Sequence, residues 1–367
     1  MIYLDYAATA PTYNHIIKDI PEILKEYFYN PSARYYSAVK TKQFYEKQRK
    51  DIAALLSVNT DSLIFVSSAT EAANTVIKGL NYKKRKKVLI WALEHPCVFE
   101  PVKHKEGIEV ACINDNKGYV TFNDIVDLID NNTALVCIMH INNETGAIND
   151  IEDISASIKA KDKNILIFSD MVQSFPKFSV NLDNIDFASF SSHKIGGLRG
   201  AAVLYAKNRD TLKPLIEGGG QEFNLRSGTE NIIAAYSMSY AAKITRDLYS
   251  QRYKHLEILN YILRQHCVKC GYHINSPEKS APYVFNFSTM KVPAEVLINA
   301  LSNKNIFVAS SSACNSGKGE NRILRAMGLN DEITKTAIRV SIHPSTSKED
   351  ILFFLDEVDH SVKELTF

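Results

Sequence analysis

The segment Ala188-Ser-Phe-Ser191-Ser-His193-Lys194-Ile-Gly-Gly-Leu198 reads as a strand, a polar turn and a Gly-rich stretch before another strand. Lys194 closes a run of hydroxyl side chains and a histidine. A lysine at a strand end among phosphate-capable donors suits a Schiff base to the carbonyl of pyridoxal phosphate. Taken alone, it would read as a solvated surface lysine. Asp170 changes that reading. It ends the apolar run Ile165-Leu-Ile-Phe-Ser and precedes Lys194 by 24 residues, room for one crossover and one strand. Both groups then stand at the C-terminal ends of neighbouring strands, where α/β sheets bind ligands. A carboxylate there can keep a pyridinium nitrogen protonated and make the ring an electron sink. The plainer alternative for Asp170 is a helix N-cap. A third stretch, Val66-Ser-Ser-Ala69-Thr70-Glu71, runs from a strand into a helix. Its free N–H groups and helix dipole favour an anion, here the cofactor phosphate.

These residues need a scaffold, and the chain supplies one. Short β-branched runs at Ser62–Val66, Lys87–Leu93, Ile108–Ile113, Ala134–Ile141, Asn164–Ser169, Phe187–Phe190 and Ala201–Ala206 alternate with helical patterns. Runs with little polar alternation suit strands buried on both faces of a mostly parallel sheet. The spacing of Ala69, Ala72, Ala73, Val76, Ile77 and Leu80 gives one apolar helix face. An α/β sandwich follows. A long helix over Glu230–Gln265 leads out of it. Beyond lie strands at Tyr283–Ser288, Ile306–Ala309 and Ile338–Ile342 and helices at Pro293–Leu301, Arg322–Met327 and Lys348–Lys363. The last helix carries an expected capping box, Thr346-Ser-Lys-Glu349. This second part reads as a smaller α+β unit.

Composition narrows the function classes. The 367 residues carry 43 basic and 41 acidic side chains, a net +2, which argues against nucleic-acid or membrane-surface binding through bulk charge. Six cysteines are too few for a disulfide scaffold. No signal peptide and no apolar run near the ~20 residues of a membrane span is evident, so a reducing cytoplasm is expected. Cys267-Val-Lys-Cys270, flanked by His266 and His273, lacks a second Cys-x-x-Cys pair. It reads as two ordinary cysteines near a helix end, and no metal is expected.

The ordered set of motifs resembles the cysteine desulfurases of the class V aminotransferase family, the group containing the bacterial NifS and IscS enzymes. The similarity spans almost the whole chain. It includes Tyr3-Leu-Asp-Tyr-Ala-Ala-Thr9, Asn30-Pro-Ser, Ala69-Thr-Glu71, Glu94-His95, Asn142-Asn-Glu-Thr-Gly146 and Asp170-x-x-Gln173. It continues through Ser191-Ser-His-Lys194, Gly218-Gly-Gly-Gln-Glu222-x-x-x-Arg226-Ser-Gly-Thr229, Ser312-Ala-Cys314 and Ala337-Ile-Arg339-Val-Ser341. The resemblance implies fold type I of the pyridoxal 5'-phosphate enzymes. A large domain over residues 15–250 would hold a seven-stranded sheet. A small α+β domain would join residues 1–14 to 251–367.

The resemblance also implies roles. Lys194 would carry the cofactor and move protons, Asp170 would pair with the pyridine nitrogen, and His95 would stack on the ring and act as acid or base. Gln173 and Asn143 would bond the ring oxygen. Ala69 and Thr70 at the helix start, with Ser191 and His193, would hold the phosphate, joined by Thr229 from the neighbouring subunit of a homodimer. Arg339 would bind the substrate carboxylate, with Asn143 beside it. Cys314, in a polar loop of small residues near Lys318 and Arg322, would take sulfur from L-cysteine as a persulfide, leave alanine, and pass the sulfur to an acceptor protein. That sulfur could serve iron–sulfur cluster assembly, tRNA thiolation or other trafficking. Direct binding of nucleic acid or membrane is not expected. The alternative is a selenocysteine lyase or another class V lyase or aminotransferase. Leu198, Tyr36, Val39 and His343-Pro344 depart from the family pattern and could reshape the pocket. The sequence ends at Phe367 without the tail that IscS-type members use to dock their scaffold protein, which leaves the acceptor open.

Overall fold

The computed structural model describes residues 1–310 and 321–366. The first part of the chain forms β1 (Ile2–Tyr3), α1 (Asn14–Glu26), α2 (Tyr36–Leu56), β2 (Leu63–Val66), α3 (Ala69–Gly79), β3 (Lys87–Trp91) and α4 (Pro96–Lys103). Next come β4 (Glu109–Ile113), β5 (Thr133–Cys137), α5 (Ile151–Lys161), β6 (Leu166–Asp170), β7 (Phe187–Ser191) and β8 (Ala202–Ala206). After the long α6 (Ile232–Cys270) follow β9 (His273–Ile274), β10 (Val284–Ser288), α7 (Ala294–Asn303), β11 (Ile306–Phe307) and β12 (Ala309–Ser310). The chain closes with α8 (Arg322–Ala326), α9 (Asp331–Lys335), β13 (Ala337–Ser341) and α10 (Lys348–Leu365).

All seven strands expected between Ser62 and Ala206 join one sheet, in the order β2-β8-β7-β6-β5-β3-β4. Neighbours from β7 to β4 pair in parallel, whereas β8 runs antiparallel to both β7 and β2. Successive residues of β5 explain why the run is apolar throughout. Leu135 and Cys137 enter the core on one face, and Val136 and Ile138 the core on the other. From β3 the chain steps outward to β4, then returns to place β5 on the other side of β3. Such a reversal opens a crevice at the strand ends.

The second sheet, β12-β13-β10-β9, is antiparallel, and β1 pairs with β11 beside it. Leu4 and Ala7 from the N-terminus share a core with Leu256, Leu263, Phe285, Phe287, Ile338 and Phe354. Helix α6 spans both cores, with Met238 and Ala241 in one and Leu256–Cys267 side chains in the other. In α10 the stripe Ile351, Phe354, Leu355, Val358 and Val362 is buried as expected. Its capping box is displaced by one residue: Ser347 caps it and Asp350 closes the box. Thr346 is engaged elsewhere, its hydroxyl accepting from the His343 N–H at 3.0 Å. Cys112 lies in an apolar run, where a buried structural cysteine is the ordinary expectation. It is exposed, because β4 is an edge strand with its outer side uncovered. Among the described residues no helix is long and apolar enough to cross a membrane.

Burial holds His140 and His343 at about 4, against 6.5 for an open imidazole. Above pH 6.5 both are neutral whether folded or unfolded, so they contribute nothing to the pH dependence there. Between pH 6.5 and about 4 the unfolded chain takes up protons that the fold refuses, and stability falls. The urea midpoint is expected to drop across that window. His140→Gln should flatten the slope, and an unchanged slope would assign the acid sensitivity to other groups.

Candidate active site

Five strand ends converge on one crevice. β2 leads into the α3 N-terminus, β3 into Glu94 and His95, β5 into the Asn142–Gly146 turn, β6 ends on Asp170, and β7 leads into His193 and Lys194. Each loop is fixed locally. Asn142 folds its own turn: its Oδ1 accepts the N–H groups of Glu144 at 2.9 Å and Thr145 at 3.0 Å, and its Nδ2 donates to the Leu93 carbonyl at 3.0 Å. Gly146 has φ +74, and a Cβ there would lie 2.5 Å from the Val284 carbonyl oxygen. At Gly197, after Lys194, a Cβ would lie 2.0 Å from Ser192 Oγ. A side chain there would have to displace the Ser192 and Ser237 hydroxyls. The departure Leu198 leaves that turn intact, with its N–H donating to Ser237 Oγ at 2.6 Å.

Asp170 is buried, its Oδ1 accepting from the Val172 N–H at 2.9 Å and its Oδ2 from the Cys97 thiol at 3.4 Å. His95 caps α4, and its Nδ1 accepts from the Cys97 N–H at 3.1 Å, which leaves the proton of the neutral ring on Nε2. The polar atoms of His95, Cys97 and Asp170 all lie within 4.8 Å of one another. Burial pushes the His95 pKa down despite the Asp170 charge, so the imidazole is a neutral acid or base. Lys194 Nζ donates to the carbonyls of Ala7 at 2.8 Å and Ala8 at 2.7 Å. Gln173 Nε2 meets the same Ala7 carbonyl at 2.9 Å. The N-terminal segment thus lies across the lysine.

Arg339 on β13 reaches in from the smaller sheet. It is buried and donates to Glu144 Oε1 at 2.8 Å, Asp5 Oδ1 at 2.8 Å and the Asn143 carbonyl at 3.2 Å. Its fork is therefore aimed before any ligand arrives.

At the other end, Ser68 caps α3 by accepting the Glu71 N–H at 3.1 Å. Glu71 accepts from the Arg226 Nε at 3.1 Å, tying the helix start to the Arg226–Thr229 loop. That loop is anchored by Glu222, which is buried with Arg49 at 2.6 Å and also accepts from the Phe65 N–H at 2.6 Å. Thr70 and Thr229 are exposed. Ser191 is buried at the end of β7, and His193 Nδ1 lies 3.3 Å from Thr9 Oγ1. Burial holds the His193 pKa at about 4.

The arrangement fits pyridoxal phosphate. Asn143 Oδ1 and Gln173 Oε1 are buried without a partner among the described residues. Unpaired buried amide oxygens are costly and call for a hydrogen-bond donor from a ligand. A carboxylate, a lysine amine and a helix N-terminus surround that same crevice.

Cys314 and Lys318 lie outside the described residues. Arg322 is described: its guanidinium donates to the Ala92 and Glu94 carbonyls and stacks 4.3 Å from the Phe99 ring. Glu94 carries no local signal of a role beyond its place before His95, yet its carboxyl is fully buried and accepts from the Met139 N–H. Burial and the nearby Asp170 push its pKa well up, so it is a neutral acid. Cys97 was also missed. Its only local signal is its place two residues after His95, and its thiol meets an aspartate 73 residues away. Asp5 and Glu144, the carboxylates that aim Arg339, lay inside quoted motifs without a part to play.

Fold and site together define an α/β enzyme of fold type I, built on a seven-stranded sheet and two smaller sheets. Residues 2–354 match the aminotransferase class-V family model, and the chain belongs to that family. It is 36% identical to a NifS/IcsS protein homolog of Lactobacillus delbrueckii subsp. bulgaricus, over 98% of this chain and 96% of that protein. It is 32% identical to the cysteine desulfurase IscS of Dictyoglomus turgidum, over 99% and 95%. A solved NifS-like protein superposes with a TM-score of 0.93 at 30% identity, over 99% of this chain and all of that one.

Proposed function

We propose that the protein is a cysteine desulfurase dependent on pyridoxal 5'-phosphate. The observation that carries this reading is the convergence of Lys194, Asp170 and His95 past the ends of β7, β6 and β3, beside the unpaired amide oxygens of Asn143 and Gln173. The bound cofactor would supply an electron sink at the substrate Cα. Lys194 would hold it by its amine and then carry the Cα proton. Asp170 would hold the proton on the pyridine nitrogen. His95 would cover the ring and exchange a proton through Nε2. Thr70, Ser191 and His193 would hold the phosphate with Thr229 of the partner subunit.

The sulfur step balances without an external oxidant. The Cys314 thiolate attacks the sulfur of L-cysteine, the carbon–sulfur bond breaks, and a sulfur–sulfur bond forms. The released electron pair stays on the substrate carbon and takes a proton, giving L-alanine. An acceptor protein then takes the persulfide sulfur. A homodimer is supported by the exposed Leu24, Phe28, Tyr35 and Tyr36 near a cavity lined in part by Thr229. Within each subunit, residues 1–14 and 251–367 would form the small domain.

Incubating the loaded protein with L-cysteine and a reductant should release sulfide and equimolar alanine. Cofactor binding without turnover would overturn the proposal. Arg339→Lys keeps the charge but loses the fork, and should raise KM for L-cysteine by about 10-fold with a smaller change in kcat. An unchanged KM would remove Arg339 from substrate binding.

A further inference from the structure

We propose that His266, Cys270 and Asp359 form a site for a borderline-soft divalent metal of the zinc class, clamping the end of α6 to α10. The sequence reading paired Cys270 with Cys267, but Cys267 is buried in the core. Cys270 instead faces His266, one helical turn back, because residues four apart share a helix face. Asp359 joins them from α10, 89 residues away.

One ligand atom from each of the three residues lies within 4.8 Å of the others, and both carboxylate oxygens of Asp359 take part in the closest contacts. His266 Nε2 lies 3.2 Å from Asp359 Oδ1 and 3.4 Å from Cys270 Sγ, and Sγ lies 3.5 Å from Asp359 Oδ2. A tetrahedral zinc with its usual bonds to nitrogen, oxygen and sulfur needs ligand separations of about 3.3–3.6 Å. The same residues do not make a nucleophile triad. In a triad the base faces its nucleophile with one ring nitrogen and its carboxylate with the other. Here Nε2 faces both. Tyr272 supplies an outer partner, its hydroxyl donating to Asp359 Oδ1 at 2.8 Å. The side chains of His266 and Asp359 keep 18% and 27% exposure, enough for metal entry and for water as a fourth ligand. Without metal, Asp359 accepts hydrogen bonds from Tyr272, His266 and Cys270. Binding releases the thiol proton, and the neutral imidazole shifts its proton from Nε2 to Nδ1, which frees Nε2 for the metal.

The test is equilibrium dialysis of the full-length, cofactor-loaded protein against Zn2+, with metal counted by mass spectrometry. About one Zn2+ per chain should depend on this site, and affinity there should fall by more than ~100-fold in Cys270→Ala and His266→Gln. Tyr272→Phe should weaken it by about 10-fold, the scale for an outer-shell partner. Unchanged cofactor absorbance shows that each variant is folded. The same zinc content and affinity in all variants would overturn the site, as would no bound zinc in the parent protein. A second measurement needs no variant: Zn2+ should slow alkylation of Cys270 in the parent protein, read by peptide mass spectrometry. Labelling at an unchanged rate would overturn the proposal.

Discussion

Lys194→Ala protein is expected to lose the visible absorbance of the lysine-linked cofactor and to turn over L-cysteine at least ~10⁴-fold more slowly. General acid–base transfer alone contributes up to about 10⁴-fold, and the lost covalent anchor adds to it. The geometry supports so large an effect. Nζ is held by the Ala7 and Ala8 carbonyls, and a Cβ at Gly197 would displace the Ser192 hydroxyl, so the turn that aims the lysine is closely packed. Lys194→Arg should restore the positive charge against those carbonyls without restoring turnover. That pair of variants separates an amine acting on substrate from a cation holding the N-terminal segment. Activity within tenfold of the parent protein in either variant would remove Lys194 from the chemistry. Near-ultraviolet circular dichroism should stay native, since neither change empties a core position.

Arg339 shows how the site is readied for an anion. Its guanidinium is buried against Glu144 and Asp5, so the cost of burying the charge is met in the fold itself. In the proposed reading a substrate carboxylate would meet a guanidinium that these groups already orient. Bidentate recognition of this kind explains why the lysine substitution is not conservative.

The large sheet was legible because parallel strands buried on both faces leave unbroken apolar runs, and Asp170 and Lys194 stand where such runs stop. Details set by competition between neighbours were not legible. Thr346 and Ser347 can each cap a helix, and only the fold shows Thr346 committed to His343. Cys112 and Cys137 sit in similar apolar runs, yet one strand is at the edge and the other central. Contacts between distant residues, such as Cys97 with Asp170 or Cys270 with Asp359, leave no periodic trace in the sequence.

Asp170→Asn should lower kcat by about 10²–10³-fold while changing cofactor affinity far less, the range seen when one pre-aimed electrostatic partner is lost. The substitution keeps the volume and the Oδ1 acceptor for the Val172 N–H. It places an amide NH2 where the carboxylate Oδ2 stood, and a donor cannot hold a proton on the pyridine nitrogen. The ring then loses most of its pull on the substrate Cα, and the slowed step should be Cα proton removal. A primary isotope effect with Cα-deuterated L-cysteine should therefore grow in the variant. Cys97→Ala is the matched control. A thiol bond to a carboxylate is worth about 1 kcal/mol, so its removal should change kcat by less than about tenfold. If Asp170→Asn stays within that same range, the carboxylate serves only to shape the end of β6. A fall confined to Asp170→Asn, with the isotope effect, assigns it to the chemistry.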